Sequence, residues 1–313
     1  MKNLVDSHGR RVRKLRLSFT DKCNLRCHYC MPVDSTFMDE EKYLHPSEYE
    51  EIVRDLCSYG LEEIRITGGE PLMRKSFKEI VERLSGLPVK KIGLTTNAIL
   101  LDKYIEILKA NRVNHLNISL DSLDPQNFKK ITYGNQLERV LKNIRLAKDH
   151  ELEVKINVVA MKGINDHEII DFVEYSSELG VEVRFLEVMR IGHACSSQND
   201  QFISAQEIIN ILKSKYELKR VSKEYDSTSF NYILNNGAQI GFIASESQPF
   251  CGSCSRWRLS ADGSIKACLL KDDGLSIKGK SSKEREDIYH TLLGMKPFLR
   301  PTEVAHQMNV LGG

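Results

Sequence analysis

At 313 residues, with 41% hydrophobic and 28% charged positions, the chain has the composition of an ordinary soluble globular protein with apolar material for a sizeable core. Its 45 Lys and Arg against 43 Asp and Glu leave a net charge of +2, which excludes an overall basic field for nucleic acid and makes any anion-binding surface local. No apolar run approaches the roughly 20 residues of a membrane span, and the charged start MKNLVDSHGRRVRK lacks the apolar core of a signal peptide. A cytoplasmic protein with no membrane attachment is therefore expected, in which eight cysteines point to metal or catalysis rather than disulfides.

From residue 14 onward, short β-type runs alternate with segments of helical apolar spacing, the pattern of βα units and a parallel sheet. Strands are expected at 15–19, 63–67, 91–96, 115–120, 153–159 and 181–188, with helices at 46–59, 76–84, 102–110, 137–150 and 167–179. Gly60 and Gly180 fall where helix C-caps belong. Such repetition implies an α/β barrel, open or closed, with its site built from loops at the C-terminal edge. After about residue 195 the character changes to a helix at 204–215 and a hairpin, 230–234 with 239–244, joined through Asn235-Asn236-Gly237. The chain thus divides into a barrel at 1–195 and a C-terminal α+β subdomain at 196–313.

The first strand leads into RLSFTDKCNLRCHYCMP, which sets Cys23, Cys27 and Cys30 in a CxxxCxxC triplet. A structural zinc site wants four protein ligands, and no fourth Cys or His stands at knuckle spacing. An iron–sulfur cubane can be held by three thiolates with one iron open, so the spacing suits a catalytic cluster better, with zinc or unrelated core cysteines as the alternative. After the second strand, Thr67-Gly68-Gly69-Glu70-Pro71 lets backbone approach a ligand closely, and Glu70 offers a carboxylate to an ammonium group. Thr95, Thr96 and Asn97, then Ser119 and Asp121, end the next two strands as a polar rim.

Arg16, Arg65, Lys155 and Arg184 stand on four different strands, with Lys155 and Asn157 sharing a face. A lysine inside a barrel needs an anionic partner, and a polyanionic substrate accounts for the four cations together. Near the other end, FCGSCSRWRLSADGSIKACL holds Cys251 and Cys254 as CxxC, with Cys268 fourteen residues further on. Alone this is half a zinc ribbon; beside the first triplet it is better read as a second open cluster. Arg256 and Arg258 flank Trp257 on a strand whose period of two sends both arginines to one face.

CxxxCxxC with Tyr29 before its third cysteine, and GGEP one strand later, resemble the radical S-adenosylmethionine (radical SAM) superfamily. With the second triplet, the RxR of Arg256 and Arg258 and the final Gly312-Gly313, the chain resembles the GTP 3′,8-cyclase family of molybdenum cofactor (molybdopterin) biosynthesis. The resemblance runs through LRLSFTDKCNLRCHYCMP, IRITGGEPLMR, IGLTTN, NISLDSLD, VKINVVAMKGIND and EVRFLEVM. It implies a six-stranded partial TIM-like barrel of radical SAM type, whose C-terminal α+β subdomain carries a second 4Fe-4S cluster. By that match Cys23, Cys27 and Cys30 hold the cluster that binds SAM, and Tyr29, Gly69, Ser119 and Met189 line the SAM site. Cys251, Cys254 and Cys268 would hold the second cluster, whose open iron meets guanine, and Arg16, Arg65, Thr95, Lys155, Arg256, Trp257 and Arg258 would contact GTP.

The implied chemistry is the first step of the pathway. SAM yields a 5′-deoxyadenosyl radical, which takes the ribose 3′ hydrogen of GTP, and the product is 3′,8-cyclo-7,8-dihydro-GTP, with no side-chain acid or base. The implied partners are GTP, an electron donor of reductase or flavodoxin/ferredoxin type, and the next enzyme of molybdopterin synthesis; nucleic acid is not among them, and a homodimer is left open. A phosphate chain reached by both Lys155 and Arg258 would lie between the clusters, and Gly312-Gly313 would thread toward the site.

Glu63 stands where the family often has Lys, the loop RIGHACSSQND follows no family pattern, and Cys57 and Cys195 match no motif, reading as a core helix residue and a loop thiol. Two rivals remain. A peptide-modifying radical SAM maturase would usually carry more auxiliary cysteines, and a non-enzymatic zinc or nucleic-acid module fits poorly with repeated βα units.

Overall fold

Branched apolar residues recur at every second position of the expected strands, and the computed structural model, which describes residues 3–222, 225–302, 304–305 and 307–311, shows what that spacing does. The strands are β1 (Lys14–Ser18), β2 (Glu63–Thr67), β3 (Lys91–Thr96), β4 (His115–Ser119), β5 (Glu153–Ala160) and β6 (Glu182–Glu187). They are parallel and neighbours in chain order. One set of side chains, including Leu15, Ile64, Ile92, Leu116, Ile156 and Val183, is buried in the core. Each stabilises the fold by about 1.5–3 kcal/mol. The other set, including Arg16, Arg65, Asn117, Lys155 and Arg184, lines the interior cavity.

The connecting helices are α1 (Pro46–Ser58), α2 (Phe77–Ser85), α3 (Ile105–Ala110), α4 (Pro125–Thr132), α5 (Leu137–Asp149) and α6 (Ile169–Leu179). Helix α4 has little apolar periodicity to mark it in the sequence, since QNFK is largely polar and only Phe128, Ile131 and Thr132 are buried. A cap starts it instead, the Asp124 carboxylate accepting from the Asn127 N–H at 2.7 Å, with Pro125 in the first turn. The helix expected at 102–110 is shorter, a 3-10 turn at Leu101–Lys103 preceding α3. Gly180 closes α6 at φ +60°, as its position predicts.

The C-terminal part adds α7 (Gln198–Gln201), α8 (Ala205–Lys213), β7 (Leu218–Val221), β8 (Phe230–Leu234), β9 (Gln239–Ile243), β10 (Arg256–Leu259), β11 (Ser264–Lys266), β12 (Leu275–Ser276), α9 (Ser282–Met295) and α10 (Met308–Leu311). The expected hairpin is β8–β9, turning at Gly237 with φ +86°. The strands continue the barrel sheet rather than forming one of their own. The order is β12-β11-β10-β1-β2-β3-β4-β5-β6-β9-β8-β7, with β10 parallel to β1 and β9 parallel to β6. An expectation of six strands plus an appended subdomain thus becomes a partial barrel widened at both edges by the C-terminal chain.

Two buried carboxylates fasten that junction. Glu187, at the end of β6, accepts from the N–H groups of Ala205 at 2.9 Å, Glu246 at 2.8 Å and Ser247 at 2.9 Å. Asp226 meets Arg13 at 2.7 Å, Lys14 at 3.0 Å and the Ser255 hydroxyl. Among the described residues, no helix is long and apolar enough to cross a membrane.

Candidate active site

The interior is a chain of three cavities with shared walls. The uppermost is lined by Cys23, Cys27, Cys30, Tyr29, Gly69 and Ser119; it shares Thr95, Asn157, Leu186 and Met189 with a middle chamber that holds Cys251, Cys254 and Cys268. The middle chamber shares Arg16, Asn117, Arg184 and Arg256 with a cavity of about 420 Å³ at the foot of the barrel, which Arg65 and Lys155 also line.

The first triplet is positioned by the double glycine. A Cβ on Gly69 would fall 2.4 Å from the Lys22 carbonyl oxygen, and one on Gly68 2.5 Å from that of Thr20, so only glycines let the β2 loop lie flat against the cysteine loop. Across this contact the Gly69 N–H donates to Thr20 O and the Glu70 N–H to Lys22 O, both at 2.8 Å. The Glu70 carboxylate does not reach the cavity. It accepts from Leu72 N at 3.1 Å, Thr96 Oγ1 at 2.8 Å and Asn97 N at 2.8 Å, and burial raises its pKa to about 7. The ammonium-accepting role read for it is replaced by that of a strut between the GGEP loop and β3.

Tyr29 donates its hydroxyl to Asp121 at 2.7 Å, and burial holds that carboxyl up at about 6 although the bonds from Tyr29 and Val159 N pull it down. Burial likewise pushes the Cys23 thiol up to about 11, Cys30 to about 12 and Cys27 well above its ordinary value. Any metal group bound there must displace protons.

The second triplet is electrostatically unlike the first. Burial pushes Cys254 up, but the Arg256 and Lys296 charges overcome it and bring the thiol down to about 6. Among the described residues, no three His, Cys, Asp or Glu side chains converge closely enough to hold a single metal ion. Zinc–sulfur bonds of about 2.3 Å would draw the sulfurs to within about 4 Å of one another. All-thiolate donor sets spread around the walls of two chambers fit a larger iron–sulfur group.

Below the triplets the cations gather. In the register of the parallel strands Arg16 lies beside both Arg65 and Arg258. Burial, then the charges of Arg258, Arg256 and Arg65, push Arg16 well below its ordinary pKa; Arg65 and Arg258 fall to about 10, chiefly through burial. A guanidinium keeps its charge in a protein, and among the described residues neither Arg16 nor Arg65 pairs with a carboxylate, an arrangement that suits a polyanion. Gly93 makes room: a Cβ there would meet the Arg65 guanidinium at 2.7 Å.

Two expectations change here. Trp257 is wholly buried on the opposite face of β10, 6.0 Å from the Tyr289 ring, so its side chain does not contact a ligand in the chamber; the alternation that turns Arg256 and Arg258 inward turns it outward. Lys155 has an internal partner, Glu182, at 2.8 Å, which also accepts from Arg184. It lines the cavity at the foot of the barrel and not the wall between the two cysteine chambers, away from the position between the clusters expected for it. Glu63 is paired with Lys14, its register partner on β1, at 3.6 Å.

Glu182, Gly93, Lys296 and Asn309 escape the sequence analysis. Glu182 sits two positions before Arg184, a spacing that places both on one face; the others carry no local signal. Met308 and Asn309 line the uppermost cavity, and the Asn309 amide donates to Asp21 O at 3.0 Å. Gly312-Gly313 lies outside the described residues. Cys57 packs half-buried against the core, and Cys195 sits in the loop after Met189 with its sulfur 3.7 Å from Val304 O.

The family model of the radical SAM superfamily matches residues 17–176, and that of Molybdenum Cofactor Synthesis C matches residues 181–296. Fold and site thus define a radical SAM protein. The GTP 3′,8-cyclase of Synechocystis sp. is 54% identical over 312 residues, covering 100% of this chain and 95% of the relative. That of Aquifex aeolicus is 38% identical over 285 residues, 90% and 89% of the two chains. The chain belongs to the GTP 3′,8-cyclase family.

Among solved structures, Streptococcus suis SuiB bound to S-adenosylmethionine matches with a TM-score of 0.66 at 16% identity, over 92% of this chain and 66% of SuiB. The protein anSMEcpe with bound AdoMet matches at 0.56 and 15%, over 92% and 84%. At such identities the likeness is one of fold alone.

Proposed function

We propose that the chain is a radical SAM GTP 3′,8-cyclase that converts GTP to 3′,8-cyclo-7,8-dihydro-GTP, the first step of molybdenum cofactor biosynthesis, by way of a 5′-deoxyadenosyl radical. The observation that carries the reading is the continuity of the interior, from one cysteine triplet through a second to a cation-lined foot. Cys23, Cys27 and Cys30 hold the cluster that binds SAM, with Tyr29, Gly69, Ser119 and Met189 around the SAM. Cys251, Cys254 and Cys268 hold the second 4Fe-4S cluster, beside the guanine. Arg16, Arg65, Thr95, Lys155, Arg256 and Arg258 bind GTP, with Trp257 supporting the two arginines from behind. When bound, the 4Fe-4S group at the first triplet supplies the one-electron chemistry that cleaves SAM.

The residues themselves position and exclude. A triphosphate of about four negative charges, drawn to the foot by Arg16 and Arg65, leaves the ribose at the wall of Thr95, Asn157, Leu186 and Met189 that both cysteine chambers share. Leu186 and Met189 keep water from that wall, where a carbon radical would be quenched. No side-chain acid or base is required. The reading extends to a cytoplasmic enzyme with an electron donor of reductase or flavodoxin/ferredoxin type and a downstream enzyme of molybdopterin synthesis that takes the product. Residues 1–195 hold the SAM cluster and most of the cations for GTP, and 196–313 add the second cluster with Arg256 and Arg258.

Anaerobic incubation with SAM, a chemical reductant and GTP deuterated at the ribose 3′ carbon tests the proposal. Deuterium is expected in 5′-deoxyadenosine, with a nucleotide product that has lost the label and has the mass of unlabelled GTP. 5′-Deoxyadenosine formed equally fast without GTP, and carrying no label, would contradict it.

A further inference from the structure

Lys296 follows directly on the last turn of α9, and its side chain turns into the protein with the residue only 7% exposed. The three donors of its ammonium are all used, on Cys254 Sγ at 3.4 Å, Arg256 O at 2.7 Å and Ala267 O at 3.0 Å. Among the described residues no carboxylate pairs with it. A buried ammonium that meets only two neutral carbonyls and a sulfur is poorly compensated unless the sulfur carries negative charge.

The position is also over-determined. Arg10, buried and paired with Asp6 at 2.6 Å, donates to Lys296 O at 2.9 Å and Pro297 O at 2.7 Å, and to Cys251 O at 2.8 Å. One guanidinium therefore clamps the backbone of the lysine to the backbone of the second triplet. Such a clamp fixes a charge at a set distance from the sulfur, which an ordinary surface lysine never has.

We propose that Lys296 is a positioning residue for the group held by the second triplet, acting through Cys254: its ammonium favours the reduced, more negative state and so sets that cluster's reduction potential. This rests on the reading that Cys251, Cys254 and Cys268 hold a 4Fe-4S cluster. Hydrogen bonds to the sulfurs and nearby charge are among the established levers on such potentials. Uptake of one electron from a low-potential donor adds negative charge to a buried site, and the fixed cation offsets it.

The test uses the full chain with Cys23, Cys27 and Cys30 all changed to alanine, so that one cluster remains, titrated anaerobically with titanium(III) citrate and followed by electron paramagnetic resonance. Lys296→Gln, which keeps a donor but loses the charge, is expected to lower the potential by about 59 mV or more, a tenfold shift in a one-electron equilibrium. Lys296→Arg is expected to stay within half that interval of its parent. A Gln variant at the parent's potential, or an Arg variant that falls as far as Gln, would overturn the proposal. If Gln abolishes iron binding while Arg retains it, the charge requirement stands; loss of iron in both would make the role one of packing and overturn it. A parent without about four irons would sink the cluster reading first, and this proposal with it.

Discussion

Arg16 and Arg258 come from opposite ends of the chain yet lie side by side, register partners on β1 and β10 that both face the middle chamber. Two like charges in adjacent positions, with Arg65 on the other side of Arg16, are mutually repulsive. A polyanion turns that cost into affinity. Arg16→Ala is expected to weaken GTP by about a hundredfold and guanosine far less, since Arg16 lines the foot and charge-assisted bonds are worth about 1.5–3 kcal/mol where solvent is excluded. Lys155→Ala should cost nearer tenfold, because Glu182 already offsets its charge. Isothermal titration with both ligands checks this, SAM affinity serving as the control that stays unchanged; equal losses for GTP and guanosine would mean that these cations do not read phosphates.

Glu182 makes an opposing case. It accepts from both Lys155 and Arg184, and its side chain is 10% exposed. Glu182→Gln breaks a largely buried ion pair, expected to lower stability by about 3 kcal/mol. The same change leaves Arg184 without its carboxylate partner and Lys155 with only Glu153, at 3.8 Å, so GTP should bind more tightly. Urea unfolding and nucleotide titration on one preparation check that the two effects move in opposite directions.

Gly93→Ala tests the space allotted to Arg65. The added Cβ would meet the guanidinium at 2.7 Å, a distance that forces the side chain aside. Triphosphate affinity should fall about tenfold, by loss of one charge-assisted bond, while SAM binding and iron content hold. Unchanged GTP affinity would show that Arg65 has another position equally good for the nucleotide.

How much of this was legible beforehand follows from the physics of each element. The six parallel strands and both triplets were readable because apolar alternation and cysteine spacing are local properties of the chain. The inward turn of Arg256 and Arg258 was readable for the same reason, and the outward turn of Trp257 follows from that very alternation, although the family resemblance drew it toward the ligand. The addition of β9 and β10 to the edges of the barrel sheet was not readable, since parallel pairing of distant segments leaves no local mark. Lys296 near Cys254, Asn309 near Asp21 and Arg10 near Cys251 are likewise products of tertiary packing. The strut role of Glu70 carries no local mark because its partners, Thr96 and Asn97, lie at the end of the next strand.

Asp226 should dominate one part of the acid limb of stability. Burial raises its pKa, but the bonds from Ser255, Lys14 and Arg13 prevail and hold it below its ordinary value. A depressed carboxylate contributes stability that is fully present above the unfolded-state value, about 3.9, and is lost as pH falls from there through the folded-state value. Asp226→Asn is therefore expected to lower stability at pH 7 by about 1–3 kcal/mol and to flatten the decline below about pH 4. Chemical denaturation at several pH values checks it; a parallel decline in both proteins would assign the acid limb to other carboxylates.

Two independent clusters around one substrate chamber are what the proposed chemistry requires first. Anaerobic iron and sulfide analysis with electron paramagnetic resonance, on the parent, Cys23→Ala and Cys268→Ala, measures this. About eight irons are expected in the parent and about four in each variant. Cys23→Ala should lose SAM cleavage and keep the C-terminal signal, whereas Cys268→Ala should keep the SAM-responsive signal and lose GTP binding. Loss of both clusters from either variant in a chain still folded by circular dichroism, or zinc in place of iron in the parent, would contradict the account.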